Sequence, residues 1–477
     1  MGNRVCFHGT SKAQGCEHLR LGNFTKMFPK LPGLAVSAAD AALLGGPGGL
    51  MHDASNGSGD SGIPAAYTFF AQFIDHDITL DTTTALAGSP LTAAQINALP
   101  NLRSPSLDLD CVYGFGPEAS PFLYDQDAPG RLLVGNEVNP NDLPRNSNGR
   151  ALIGDHRNDE NLFIAQFHLL MLRLHNRIFE AILGATPPGE RFEESQRQTR
   201  YHYQYLVLND FLKRVCDQKV FQFATGQLHK RSYPIVLKGA TAPLAMPVEF
   251  SVAAYRFGHT MVRSVYPANG HYTQVELFDE SFGTLGFGPV PAKLTVDWRY
   301  LLDVDHCISH VRSKAIDHLL ADELIRLPNP VVGRSASANE RSLAFRNLLR
   351  GNVLSLPSGQ AVAAALAAAG YPIDPSQDLQ FAQIPGWSAA PNDFQSRISA
   401  ETPLFFYLMR EAGVVGKGER LGPVASAILL EVFCAMLVNC GTSYLHAKDW
   451  APMRCIAGTG KDRDLTLADV VRFVEGR

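Results

Sequence analysis

The sequence predicts a mainly α-helical protein, organised as a single large helical domain with little β-structure. In several segments apolar residues recur at spacings of three and four, the pattern of helices with one buried face. Short connections with Pro and Gly separate these segments, and we find neither an internal repeat nor a sustained two-residue alternation. The predicted helices are residues 67–79, 160–184, 196–217, 248–264, 307–326, 338–350, 359–369 and 424–438.

The length and composition are those of a globular protein with a large core. The chain has 477 residues and 45% apolar content. Residues 43–64 are rich in Gly, Ser and Pro, so we expect an N-terminal extension and loop over residues 1–64. We expect the main domain over residues 65–450 and a C-terminal tail, packed on or near it, over residues 451–477.

The charge balance favours small-molecule partners. The net charge is -4 and charged residues make up 18% of the chain, so no basic excess points to nucleic acid or an anionic membrane surface. The first ten residues lack the apolar core of a secretory signal, and the longest apolar stretch, 425–441, is interrupted by Glu431. We therefore expect no integral membrane contact, and a protein that is cytoplasmic or exported without a signal peptide. Its oligomeric state stays open.

The stretch "FFAQFIDHDITLD", residues 69–81, places charged groups inside an apolar helix. Helical geometry puts Gln72, Asp75 and His76 on one face and directs Asp77 to the far, apolar side. One interpretation of the first face is a polar stripe exposed to solvent. Asp77, in contrast, needs a cation or a hydrogen-bond donor wherever it is buried.

Two later segments carry groups that could share a site with this face. In "GDHRNDENLF", Arg157 and Glu160 lie three residues apart near the start of a long apolar helix. In "VEFSVAAYRFGHT", a histidine, His259, follows Gly258 within an apolar helix. A flat group could approach the helix at that glycine, which has no side chain.

The order of "QFIDHD", "GDHRNDE", "MLRLHNRI" and "YRFGHT" resembles the animal-type haem peroxidases of the peroxidase-cyclooxygenase superfamily, and in particular a short, bacterial-type member. A late segment, "RLGPVASAILLEVF", extends the resemblance over about residues 67–435. The resemblance implies a mainly α fold, haem b, and the reduction of hydrogen peroxide, as in a response to oxidative stress. Small donors such as halide, thiocyanate or phenolic compounds would then be oxidised through ferryl haem intermediates.

The resemblance also implies a role for each matching residue. His76 would be the distal histidine that moves the proton of peroxide, Arg157 would stabilise charge on the departing oxygen, and His259 would ligate the haem iron. The other matching residues are Gln72 beside His76, Asp75 and Glu160 as ester links to haem methyl groups, Asn347 as the partner of His259, and Arg256 three residues before His259.

The two carboxylates have an alternative role to that of ester links. Asp75 and Glu160 could instead form ion pairs with arginines, such as Arg157. Some members of the family have a third link, from a methionine just after the glutamate, but Asn161 occupies that place here. We therefore expect at most two links.

The resemblance implies calcium near Asp77. In "SPSLDLDCVYG", Ser104, Ser106, Asp108 and Asp110 offer oxygen atoms at every second position, and calcium takes six to eight oxygen ligands. Ser104 stands where the family usually has threonine, and Asp110 stands where serine is common. The alternative is that these aspartates are loop caps without a metal.

Two other functions remain open. Cyclooxygenase-like and fatty-acid dioxygenase-like members of the superfamily have a tyrosine where this chain has Arg256, although Tyr255 is adjacent. A haem-binding protein without turnover is the second alternative, and the combination of Gln72, His76 and Arg157 argues against it. We interpret His168 and His175, in the same long helix, as core histidines.

Overall fold

Helices dominate the computed structural model, which describes residues 22–55, 57–86, 88–230, 232–239, 244–458 and 464–477. This composition confirms the predicted fold class. The α-helices are α1 Ala38–Gly45, α2 Ala66–Ile78, α3 Ala93–Asn97, α4 Asp110–Tyr113, α5 Leu162–Ala181, α6 Arg191–Leu206, α7 Lys213–Val215, α8 Gln218–His229, α9 Asp322–Ile325, α10 Asn329–Val332, α11 Leu343–Val353, α12 Gly359–Ala368, α13 Asn392–Ala400, α14 Leu404–Val414, α15 Pro423–Asn439, α16 Arg454–Ala457 and α17 Leu467–Glu475.

The strands are short, with two to five residues each. They are β1 Gly22–Thr25, β2 His52–Asp53, β3 Asp60–Pro64, β4 Pro100–Asn101, β5 Met246–Pro247, β6 Val265–Tyr266, β7 Val275–Glu276, β8 Arg312–Lys314 and β9 Leu320–Ala321. Strand β1 lies between β4, antiparallel, and β5, parallel. The pairs β3 with β8 and β6 with β7 are antiparallel, and β2 with β9 is parallel.

Helix α2 lies in the centre of the core. Its aromatic side chains are fully buried: Phe69 stacks on Phe163 of α5, and Phe70 stacks on Phe167 one turn further along. Such aromatic pairs add to the free energy gained by burying apolar area. The polar residues of α2 are therefore held in fixed positions by their apolar neighbours.

The segment before His259 is helical but irregular. A π-helical segment over Glu249–Ala253 is followed by a 3₁₀ helix over Ala254–His259, and the helix ends there, before the predicted residue 264. π-Helical turns inside helices often occur at functional sites. The region 196–217 has the same kind of interruption, at Val207–Leu212.

The predicted helix at 307–326 is wrong. This region contains β8, β9 and only the short helix α9 at its end. Ile316, His318 and Leu320 are buried at alternate positions, which is the period of a strand. Short apolar runs fit both periods, and here pairing of β8 with β3 decides between them.

Both ends of the described chain pack on the same core. Phe24, Leu44 and Met51, from the predicted extension, belong to one buried cluster with the residues of α2 and α5. Helix α17, in the predicted tail, packs against α5. The boundaries at residues 64 and 450 stay predictions, and residues 1–21 lie outside the described part. None of the helices in the described residues is both long enough and apolar enough to span a bilayer.

Candidate active site

A cavity of about 260 Å³ opens beside α2. Its polar walls combine one face of α2, the turn that precedes α5, and the irregular helix that ends at His259. Its remaining walls are mostly apolar. The charged and polar residues that line it are Thr68, Gln72, Asp75, His76, Arg157, Glu160, Asn161, Tyr255, Arg256 and His259, and the apolar residues of its other walls include Val262, Leu277, Phe278, Leu324, Leu327, Val331 and Leu343.

The two histidines predicted to flank a haem line this same cavity. Burial, together with the charge of Arg157, lowers the pKa of His76 to about 4. Burial and the charge of Arg256 lower the pKa of His259 to about 3. Both rings are therefore neutral near pH 7, and among the described residues neither Nε2 atom has a hydrogen-bond partner.

Asn347, on α11, lies behind His259. Its amide group contacts Nδ1 of His259 at 3.1 Å. An asparagine amide can present either its nitrogen or its oxygen at one position after a rotation of 180°. With the oxygen facing the ring, Nδ1 donates its hydrogen to Asn347 and Nε2 carries the lone pair, which is the form that ligates a metal.

Asn158 has the corresponding place behind His76, and sequence reasoning missed it. Its Oδ1 accepts the Nδ1 hydrogen of His76 at 2.8 Å, and its Nδ2 donates to Nδ1 of His168 at 2.9 Å. This arrangement fixes the tautomer of His76 with its basic nitrogen free. Asn158 follows Arg157 in a polar stretch that looks like an ordinary loop, so only its tertiary contacts reveal it.

Arg157 lies in the tight turn His156–Asp159 and is held on two of its three nitrogens. Nε and Nη2 donate to Asp155 at 3.1 and 2.7 Å, and Nη2 also donates to the carbonyls of His76 and Thr79 at 3.0 and 2.7 Å. Nη1 has no hydrogen bond within the described residues, although the side chain lines the cavity. One nitrogen is thus left for a ligand. The sequence did not indicate Asp155.

The two predicted ester carboxylates lie in the cavity in different electrostatic states. Burial alone would raise the pKa of Asp75, but positive charge, first that of Arg256 at 3.2 Å, lowers it. Burial raises the pKa of Glu160 to about 7, and Arg157 offsets this only in part. Glu160 accepts a hydrogen bond from the Gln72 amide. The predicted ion pair with an arginine is therefore present at Asp75.

Asn161 has a structural role at the position where some family members have methionine. Its side chain accepts the backbone N–H groups of Phe163 and Ile164, each at 3.0 Å. It thereby caps the N-terminus of α5, for which asparagine is among the preferred residues. Helix α5 also carries the predicted core histidines: His175 is buried and bonded to Tyr113 and the carbonyl of Gly130.

Asp77 lies on the opposite side of α2, in a separate acidic cluster. It is fully buried, and carboxylate oxygens of Asp77, Asp108 and Asp110 lie within 4.8 Å of one another. One oxygen of Asp77 and one of Asp108 have no hydrogen-bond partner among the described residues. Burial, with the charge of Asp108, raises the pKa of Asp77 to about 7. Burial also raises the pKa of Asp110.

The predicted serines are adjacent to this cluster. The hydroxyl of Ser104 donates to that of Ser106 at 3.0 Å, and the Ser104 backbone N–H donates to Asp110 at 3.1 Å. The structure thus brings together the predicted residues in two groups, one at the cavity and one at the acidic cluster. The roles given to them stay predictions.

Part of the chain matches the model of a known protein family. Residues 88–284 match the family model for the animal haem peroxidase. This range contains Arg157, Glu160, His259 and the acidic loop, but not α2.

Two relatives illustrate the sequence match. A peroxidase-like protein of Margaritifera margaritifera is 31% identical over 36% of this chain and 23% of its own length. Chorion peroxidase of Drosophila melanogaster is 26% identical over 36% of this chain and 22% of its own. The matches thus span less than a quarter of either relative.

Solved structures show the same fold over most of the chain. Peroxidase A from Dictyostelium discoideum superposes with a TM-score of 0.61 and 16% identity, covering 95% of this chain and 93% of that one. A fatty acid alpha-dioxygenase of Arabidopsis thaliana gives 0.58 and 14%, covering 88% and 71%. Part of the chain is thus similar to animal haem peroxidases in sequence, and the solved structures show a shared fold.

Proposed function

We propose that this chain is a haem peroxidase that reduces hydrogen peroxide and oxidises small donors. The observation that carries the proposal is the pair of neutral imidazoles, His76 and His259, which line one cavity with their Nε2 atoms free. Apart from its chain neighbours and the backbone of its own helix, the nearest atom that a Cβ placed on Gly258 would meet is Cβ of Ala71, at 3.8 Å. The cavity is therefore open beside His259, as a flat macrocycle requires.

The residues of the cavity fit haem b. His259 would hold the iron, and Asn347 would orient that ring and increase its basicity. When bound, the haem supplies the iron at which peroxide is reduced and from which donors are oxidised. Asp75 and Glu160 would form its ester links, which fits their position on the cavity wall.

The distal residues can move a proton and stabilise charge. The free Nε2 of His76 accepts the proton of one peroxide oxygen and returns it to the other. The guanidinium of Arg157 stabilises the negative charge that develops on the departing oxygen, and it needs no rearrangement because it is already held in place. Gln72 can donate a hydrogen bond in the same region.

The absorption spectrum of the haem-loaded chain, before and after hydrogen peroxide, tests the proposal. His259→Ala should abolish the spectrum of imidazole-ligated haem, whereas His76→Ala should keep it and slow the reaction with peroxide by about 10²-fold or more. His306→Ala, at an exposed histidine outside the cavity, is the control for adventitious haem binding. A His76→Ala variant with unchanged rate would overturn the distal role. Donor preference among halide, thiocyanate and phenols is then measured on the wild-type chain.

Acidic acetone extraction tests the ester links. After treatment with hydrogen peroxide, the haem of the wild-type chain should stay attached to the protein during extraction. The haem of the double variant, Asp75→Val with Glu160→Gln, should pass into the acetone. Asp159→Asn is a matched control, because Asp159 is a buried carboxylate next to Glu160 that pairs with Arg145 instead of lining the cavity. Haem that stays attached to the double variant would refute the assignment.

We further propose that the acidic cluster binds calcium. Two buried carboxylate oxygens without partners are costly unless a cation or proton satisfies them, and a hard cation prefers oxygen ligands. Removal of calcium by a chelator should lower the unfolding temperature of the wild-type chain. The Asp77→Asn variant should have a lowered unfolding temperature that is the same with and without calcium. A wild-type unfolding temperature that does not change on addition of the chelator would contradict the site.

A fatty-acid dioxygenase is the second candidate function. It is favoured by Tyr255, which lines the cavity, and by the apolar residues of the other walls. Against it, the Tyr255 hydroxyl donates to the carbonyl of Ala71 at 3.3 Å, and Arg256 has the position of the reactive tyrosine. Oxygen uptake by the haem-loaded chain with a long-chain fatty acid, lost in Tyr255→Phe, would favour this candidate.

A further inference from the structure

Asp155 is a buried carboxylate shared by two arginines. Its side chain is fully inaccessible, and it contacts the guanidinium of Arg157 on one side and Nε of Arg103, at 2.8 Å, on the other. Burial alone would raise the pKa of Asp155, but the charges of Arg157 and Arg103 hold it well below its ordinary value. Asp155 also caps the turn of Arg157 by accepting its backbone N–H at 2.9 Å.

The two contacts of Asp155 differ in strength. Arg157 makes directed hydrogen bonds through Nε and Nη2. The Nε–H of Arg103, although close, makes no hydrogen bond with suitable geometry in the described chain. The contact with Arg103 is therefore a contact of charges, which a change at the other end of Arg103 can alter.

That other end reaches the acidic cluster. Nη1 of Arg103 lies 3.4 Å from Asp110, and Nη2 donates to the carbonyl of Gly154 at 3.0 Å. Asp110, Arg103, Asp155 and Arg157 thus form a continuous row of alternating charges from the acidic cluster to the cavity. It is separate from the covalent link through Asp77 and His76.

We propose that Asp155 is a positioning residue for Arg157, and that Arg103 couples it to the occupancy of the acidic cluster. A cation in the cluster neutralises the charge of Asp110 and repels Arg103, whose remaining charged partner is Asp155. Asp155 then divides its charge differently between Arg103 and Arg157. The inference rests on the proposed function, and coupling of this kind acts equally in both directions.

Terbium binding, which needs no haem, tests the coupling. Tyrosine-sensitised terbium luminescence reports occupancy of the cluster in the full chain. Arg103→Met removes a competing positive charge and should bind terbium about threefold or more tightly. Asp155→Asn leaves Arg103 with Asp110 as its main partner and should weaken binding by about threefold or more.

The double variant gives the decisive comparison. If Arg103 carries the coupling, Asp155→Asn should change terbium affinity by less than half as much in the Arg103→Met background. Equal effects in both backgrounds, or no terbium binding by the wild-type chain, would overturn the coupling. Asp159→Asn removes a neighbouring buried charge that pairs with Arg145, and it should leave terbium affinity near that of the wild type.

Fluoride binding to the haem-loaded chain, followed by absorption, tests the positioning of Arg157 without peroxide turnover. A guanidinium held at the cavity favours a small anion there, so Asp155→Asn should weaken fluoride binding by about tenfold, and Asp159→Asn should not. Wild-type fluoride affinity in a folded Asp155→Asn variant would refute the positioning role. If Asp155→Asn does not fold, fluoride affinity of Arg103→Met with and without calcium decides instead: the two values should differ less than in the wild type. Absence of haem binding by the wild-type chain would contradict the proposed function, and the terbium comparison would still decide the coupling.

Discussion

Replacement of Asn158 by leucine is the sharpest test of how the distal histidine is controlled. Leucine has the same branched skeleton as asparagine, with two methyl groups in place of the amide oxygen and nitrogen, but it cannot hydrogen-bond, so it leaves the Nδ1–H of His76 and the Nδ1 lone pair of His168 without partners. A buried polar group without a partner costs about 1–3 kcal/mol. Because two groups lose their partners, the free energy of unfolding should fall by about 2–6 kcal/mol.

The same change should slow the reaction with peroxide. Without Asn158, the proton of His76 is free to move from Nδ1 to Nε2, and a ring protonated at Nε2 cannot accept the peroxide proton there. General acid–base catalysis contributes about 10² to 10⁴-fold. We therefore expect a loss of about 10²-fold in the second-order rate constant, equivalent to about 2.7 kcal/mol. Stopped-flow absorption of the haem-loaded variant measures it.

Asn158→Asp is the matched control. Its carboxylate still accepts the Nδ1 hydrogen of His76. It also needs a hydrogen from Nδ1 of His168, and that ring can supply one at no cost in hydrogen bonds, because its Nε2 has no partner in the described chain. Most of the rate should remain near pH 7. Wild-type kinetics in a folded, fully haem-loaded Asn158→Leu variant would refute this account of His76.

Two further predictions concern the cavity walls. The raised pKa of Glu160, about 7 against an ordinary 4.5, means that between these two pH values the folded chain holds a proton that the unfolded chain releases. The stability of the haem-free wild-type chain should therefore fall as the pH rises from about 4.5 to 7. In the haem-free Glu160→Gln variant this fall, measured by thermal unfolding at each pH, should be smaller. Gly258→Val would direct a branched side chain into the open space beside His259. The unfolding temperature of the haem-free variant should stay near that of the wild type, but a spectroscopic titration should show no haem binding. Undiminished haem binding would contradict the proposed position of the macrocycle.

Many of the residues that line the cavity could be predicted from the sequence, because their positions follow helical geometry. Gln72, Asp75 and His76 share a face of α2, and Asp77 lies opposite, as the 3.6-residue period requires. Asn158 could not be found in this way, since its two imidazole partners come from different elements.

Irregular backbone explains most of the rest. The π-helical and 3₁₀ turns over residues 249–259 place four residues on the cavity wall, namely Tyr255, Arg256, Gly258 and His259. A regular helix would spread four such positions over a broader arc. Likewise, the strand pairing that replaced the predicted helix at 307–326 depends on β3, which is far away in the sequence. Local periodicity contains neither kind of information.

The position of Arg157 explains why an arginine suits this place better than a lysine. The carbonyls at the C-terminal end of a helix lack partners within the helix, and Nη2 of Arg157 donates to two of them, at His76 and Thr79. The same planar group is held by Asp155 and keeps Nη1 for the cavity. A lysine ammonium is a single point charge and could not meet all three demands in a fixed geometry. The guanidinium therefore ties the end of α2 to the turn before α5, so the position of His76 and the charge beside it are set by one side chain.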